Sequence, residues 1–210
     1  MPSLLVYPMR GLKRKLKVSF FSFEKNPDCL VVSPGGCGSN SLVKYLDKHT
    51  KSNLYFEKKY KFFGLSHIYK PNFYLKKNKI KIIIIKRSYN DIYNSMISRG
   101  FVRNTLNFFG DCFPFIYINI FKDKKKLKKK FFFYLDFFYN NWKDYNKNYI
   151  LSLSYESLYK STKTQKKIKK FLNIKNKSFI KNFPKYKKYN KKGFIDPSTI
   201  LSKKIYNLKN

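Results

Sequence analysis

The chain has 210 residues, with 47 Lys+Arg against 11 Asp+Glu, for a formal charge of +36. At 43% hydrophobic residues it has the apolar content for one domain with a real core. No apolar run approaches the roughly 20 residues of a spanning helix, which argues against a transmembrane protein. Cys29, Cys37 and Cys112 are widely spaced and the two His add no cluster, so no metal pattern appears. An odd cysteine count suits a reducing compartment. The opening "MPSLLVYPMRGLKRKLK" is broken by Pro2, Pro8 and Arg10 and does not read as a secretory leader. The expectation is a cytoplasmic, soluble protein. So positive a surface attracts anions in a salt-dependent way, and nucleic acid, anionic membrane and phosphorylated small molecules all qualify. Lys, Asn, Ile, Phe and Tyr also have A/T-rich codons, so a biased genome can raise Lys everywhere without any functional demand. Charge by itself is therefore not read as function.

In chain order, "CLVVS" (29–33) is the first expected strand. The loop "PGGCGSN" follows, then the helical pattern "SNSLVKYLDKH", with Ser39 or Asn40 as N-cap. A weaker strand is expected at "KFFGLSH" (61–67). "IKIIIIK" (80–86) is β-branched without strict alternation, which suits a strand covered on both faces of a parallel sheet. The helix "YNDIYNSMISRG" follows, with Asn90 as its cap and Gly100 as its stop. In "FKDKKKLKKKFFFYLDFFYNNWKDYN" (121–146), Leu127, Phe131, Leu135, Phe138 and Trp142 recur at helical spacing, as on a buried face. Its Lys run is then a solvated first turn or loop. "YILSLS" (149–154) is the last buried strand, and "STKTQKKIKKFLNI" places Ile168, Phe171 and Leu172 on one helical face. Strands alternating with helices give an α/β fold with a mostly parallel sheet, as a single domain over 1–210.

Ligands of such sheets bind at the carboxyl ends of the strands. After the first strand, Gly35, Gly36, Cys37 and Gly38 let the backbone approach an anion closely. The next helix start adds N–H donors and partial positive charge, and Ser39, Asn40 and Ser41 add side-chain donors. The pattern GxxxxGK[ST] is not met, because no lysine follows Gly38, and this weakens an NTP-hydrolysing or kinase reading. After the Ile-rich strand, Arg87 is set for a fork-like grip on a phosphate. Ser95 lies eight residues on and leans back toward the same helix start.

These residues carry a family resemblance. "SPGGCGSNSL" resembles the strand–loop–helix motif P-[KR]-[ST]-G-[TS]-[TS] of sulfotransferases that use PAPS (3′-phosphoadenosine 5′-phosphosulfate), with one extra residue after Pro34. "RSYNDIYNS" is similar to the family's R-[DN]-P-x-D-x-x-x-S at Arg87, Asp91 and Ser95, with Tyr89 at the usual proline. "LSLSYESLYKSTKTQKKIKKFLNI" resembles the family's strand, Y-E-x-L and F-L-G, with Asn173 at the glycine. The matches run from residue 29 to 174, leaving 175–210 as a flanking segment.

The resemblance implies a three-layer α/β fold with a P-loop-like phosphate loop, and transfer of a sulfuryl group from PAPS to a hydroxyl or amine. A carbohydrate or small hydroxyl compound is the expected acceptor. The family's loop holds the 5′-phosphosulfate, and its Arg and Ser grip the 3′-phosphate; here these are Gly35–Ser41, Arg87 and Ser95. Tyr155 and Glu156 are expected to be structural. "YNKKGFIDPS" loosely resembles the family's R-K-G loop and adds Lys192 and Gly193 to the nucleotide site. His67 stands where some family members keep a catalytic histidine, with Glu57 as the acidic alternative base. His49 reads as an exposed helix-end residue. No metal is implied. Gly36 departs from the family, which often has Lys or Arg there; Lys44, Lys86 or Lys192 is then needed to compensate, or the protein is a weakened PAP/PAPS binder. A basic nucleic-acid-binding protein is the rival from another class, supported by the net charge and the aromatic–basic segment. The expected partner is the sulfate-acceptor molecule, a glycan or hydroxyl compound, with no specific nucleic acid, no membrane span and peripheral contact with anionic surfaces.

Overall fold

A computed structural model describes residues 24–60, 65–99, 101–102, 105–106 and 123–186. Its described part is α/β, with a three-stranded parallel sheet and seven α-helices. Strand β1 (Cys29–Val32) pairs with β2 (Lys81–Lys86), and β2 pairs with β3 (Ile150–Ser154). The register sets Val31 beside Ile83, and Ile83 beside Leu151.

Every residue of β1 is buried, as are Ile82 to Ile85 of β2, so neither face of these strands meets solvent. That is why their sequences run apolar without alternation. β3 differs from the buried strand expected at 149–154: Ser152 and Ser154 are exposed. It forms an edge of the described sheet, and its serines alternate with inward residues.

α1 (Ser39–Leu46) and α2 (Asn53–Tyr60) follow β1. A 3₁₀ turn at Leu65–His67 and α3 (Phe73–Lys77) lead into β2. α4 (Tyr89–Ser98) follows β2, and α5 (Lys124–Asn141) packs beside it through Tyr93 and Phe131, whose ring centroids are 5.5 Å apart. α6 (Tyr155–Lys160) and α7 (Thr162–Phe171) follow β3. Leu127, Phe131, Leu135, Phe138 and Trp142 are buried, as their spacing predicts, while Lys124–Lys126 form an exposed first turn.

Three expectations are corrected. The strand expected over 61–67 is a 3₁₀ turn at 65–67; residues 61–64 lie outside the described part. The turn still follows β1, because Ser33 N–H donates to Ser66 O at 2.9 Å. α1 is capped at Gly38, not at Ser39 or Asn40, and has no side-chain cap hydrogen bond. α4 is capped by Ser88, whose hydroxyl accepts from Asp91 N–H, not by Asn90. Gly100 lies outside the described residues, and the α4 C-cap is Arg99.

β1 borders no further strand among the described residues, yet its outer edge is buried. The fully buried Asn53 side chain closes it: Val31 N–H donates to Asn53 Oδ1 at 2.8 Å, and Asn53 Nδ2 donates to Val31 O at 3.0 Å. The amide does what one residue of a neighbouring strand would do. Asn53→Ala strips both Val31 groups of their partner. It should cost about 2–4 kcal/mol and lower the melting midpoint by roughly 5–15 °C, read by thermal denaturation.

Candidate functional site

β1 and β2 are adjacent and parallel, so the segments leaving their carboxyl ends come together. The loop after β1 turns through Gly35 (φ +92°), Gly36 (φ +66°) and Gly38 (φ +69°). Gly38 is the most constrained. A Cβ there would lie 2.4 Å from Cε2 of the Tyr155 ring, in a backbone region that L-residues resist. A Cβ at Gly36 would lie 3.0 Å from the Met96 methyl. A side chain at position 36 would meet a left-handed backbone and require the Met96 methyl to shift.

Arg87 leaves β2 directly beneath this loop. Its Nη1 donates to Gly36 O at 3.0 Å, and its guanidinium carbon lies 4.8 Å from the centroid of Tyr155. The arginine is thus stacked and bonded at once, with 11% of its side chain exposed. Its Nε lacks a hydrogen-bond partner; the nearest ion-pair partner, Asp91 Oδ2, is 3.8 Å away, too far for one. The loop is tied down elsewhere. Tyr159 donates to Gly38 O at 2.8 Å, and the hydroxyls of Ser33 and Ser39 bond at 2.9 Å. Ser39 therefore points inward, whereas Asn40 and Ser41 are exposed on the first turn of α1.

Cys37 is fully buried; its Sγ donates to Gly35 O at 3.3 Å, and the Tyr139 hydroxyl of α5 lies beside it. Burial pushes its thiol up to about 12, against the opposing pull of Tyr139 and of the Arg87 charge. Burial raises the Tyr139 phenol too, so both groups stay protonated at neutral pH. Cys37 is a packed, uncharged member of the loop rather than a nucleophile.

His67 lies against the same loop. Its Nδ1 is 3.4 Å from Ser33 O, and its Cε1 would sit 3.8 Å from a Cβ at Gly35. Glu57 sits nearby but serves the turn: its Oε1 accepts from Leu65 N–H at 2.8 Å. Ser95 is buried on α4, and its Oγ accepts from Arg99 Nη2 at 3.0 Å while its carbonyl accepts from Arg99 Nε at 2.9 Å. Arg99 is the residue that the sequence reading passed over. Its position four after Ser95, one helical turn away, was the available signal. Met96 joins the two halves, with its sulfur 4.0 Å from Arg99 Nη2 and its methyl against Gly35 and Gly36.

The loop, Arg87 and His67 therefore meet at one end of the sheet, while Ser95 is engaged with Arg99 one step away. Lys192 and Gly193 lie outside the described residues. Of the compensating lysines, Lys44 is exposed on α1 and the Lys86 ammonium lies 5.8 Å from the Tyr139 ring. Tyr155 acts as packing beneath Gly38 and Arg87.

A cavity of about 660 Å³ opens elsewhere, at the amino ends of the strands, with Asp28, His49, Lys81 and Asn173 among its lining. None of its lining residues belongs to the loop or to Arg87, Ser95 or His67. The ends of α1, α3 and α7 border it with partial negative charge, which Lys48, Lys79, Lys81 and Lys175 of the lining offset. His49 is half-buried rather than exposed, with its ring centroid 4.9 Å from Tyr45; burial first, and then the Lys48 charge, hold it below the ordinary histidine value.

Comparison with protein-family models, curated proteins and solved structures found no match.

Two outcomes follow. Gly38→Ala should destabilise the fold by about 2–4 kcal/mol, from left-handed strain and the Tyr155 clash, and Tyr155→Phe, which keeps the ring, should not rescue it. Cys37 should resist alkylation in the native protein near neutral pH and react after denaturation, as read by mass spectrometry of the modified peptide.

Proposed function

We propose that the chain is a PAPS-dependent sulfotransferase with a three-layer α/β core and a P-loop-like loop at Gly35–Ser41. The observation that carries this reading is the contact between Arg87 and Gly36 O at 3.0 Å. It joins the two segments whose sequences resemble the family's two phosphate motifs. The donor set suits an anion: an α1 start with no side-chain cap, three left-handed glycines, and an arginine whose Nε has no hydrogen-bond partner.

In this reading the loop and the α1 N-terminus take the 5′ end of the nucleotide. Arg87 and Ser95 take the 3′-phosphate, and Lys192 and Gly193 flank it. When bound, PAPS supplies the sulfuryl group that passes to the acceptor oxygen or nitrogen. His67 accepts the acceptor's proton; an ordinary imidazole titrates near ~6.5, well placed for that task. Backbone N–H donors of the loop and the α1 start stabilise the charge left on the 5′-phosphate, the larger part of catalysis in such transfers. The acceptor is a carbohydrate or another hydroxyl compound. Gly36, with no cation of its own, favours one second reading: a PAP/PAPS binder with weakened turnover.

Thermal-shift comparison of PAP, ATP and AMP tests the nucleotide, and selective stabilisation by PAP is expected. Arg87→Ala should weaken PAP binding by about 10–100-fold; unchanged affinity with the fold intact would overturn the site. His67→Ala should lower turnover by about 100-fold or more while leaving PAP affinity in place. PAP binding without measurable turnover in the unaltered protein would select the second reading.

A further inference from the structure

We propose that the outward face of α5 docks on an anionic phospholipid surface. This does not rest on the sulfotransferase reading. The helix carries two stripes. Leu127, Phe131, Leu135 and Phe138 face the core. Lys126, Lys130, Phe133 and Phe137 recur at four–three–four spacing on the other side.

Phe133 and Phe137, one turn apart, are 63% and 46% exposed. They gain nothing from water and have no hydrogen-bonding group to satisfy. Tyr69 extends the apolar strip, its ring centroid 5.6 Å from that of Phe137. The amino-terminal half of the same helix reads KKKLKKK. Its lysines complement the negative headgroups, while the phenylalanines reach the acyl boundary, as in helices that lie in the interface plane. No described helix is long and apolar enough to cross a membrane, so the contact is interfacial.

A single-stranded nucleic acid is the competing occupant of a basic–aromatic face. Such strands are held in a groove that tracks the backbone. The outward stripe is the ridge of a helix, and α5 contributes nothing to the lining of the 660 Å³ cavity or of a second one of about 240 Å³ near Tyr145. A planar lipid surface fits a ridge.

The test must separate this face from the general attraction of a +36 chain. Binding is measured by cosedimentation with phosphatidylcholine vesicles containing roughly one quarter phosphatidylserine. The charge-neutral double variant Phe133→Ser/Phe137→Ser should bind on the order of tenfold more weakly, with its melting midpoint unchanged. Tyr55→Ser, at an exposed aromatic of α2, should bind as the unaltered protein does. Equal binding by the double variant would overturn the proposal. Should that variant fail to fold, Phe133→Trp gives an independent reading: its emission should shift to the blue on these vesicles. No shift, or a shift with a mixed-sequence RNA oligonucleotide but not with vesicles, would equally overturn it.

Discussion

The Asn53 amide holds β1 in place, and much else follows from that position. β1 is buried on both faces and also along its outer edge, where Val31 would otherwise lose both its backbone partners. A buried, unpaired peptide group costs about 1–3 kcal/mol, so the edge must be closed by something. Asn53 closes it at Val31, and the backbone of Ser66 closes it at Ser33. The second contact carries His67 to the start of the glycine loop. One demand of hydrogen-bond satisfaction therefore fixes both the strand and the placement of the candidate base.

The charge distribution makes the core more important, not less. The four ion pairs among the described residues span 3.4 to 3.8 Å, and each has at least one well-exposed partner. Exposed pairs of this kind contribute little. Cohesion comes instead from aliphatic strands and from aromatic contacts such as Tyr45, Phe179 and Phe183, whose centroids lie 5.1 to 5.6 Å apart. Lysines also sit over rings, as Lys160 does over Tyr186 at 4.4 Å. In a chain with few acids, aromatic faces take part of the role that carboxylates usually play.

The strands and longer helices were legible because burial on two faces and burial on one stripe leave different periods in sequence. Ile82–Ile85 and the Leu127–Phe138 stripe are the clear cases. The caps were not legible at residue level. "GSNS" offers Ser39 and Asn40 as candidates, yet Ser39 turns inward to Ser33 and leaves Gly38 as the cap. α2 and α3 carry little apolar periodicity, and α2 is defined by Asn53, whose partner on β1 lies 22 residues away. Proximity of the loop to Arg87 was legible from the α/β pattern, because parallel strands present their carboxyl ends on one side of the sheet. The engagement of Ser95 by Arg99 was hidden, because a polar pair one turn apart on a helix usually means only surface stabilisation.

Gly36 is where local geometry and chemistry pull against each other. Its left-handed backbone and the nearby Met96 methyl leave little room for a long cationic side chain. The same backbone turns the Gly36 carbonyl toward Arg87, so the nearest positive charge arrives from the neighbouring strand and is aimed at the loop from below. A guanidinium held by a carbonyl and an aromatic face loses little rotamer freedom on meeting an anion. It is also already committed to a neutral partner that an anion would have to displace. On the sulfotransferase reading proposed above, a mobile cation in the loop is replaced by a fixed one at the end of β2, which suits oriented nucleotide binding better than stabilisation of the departing oxygen.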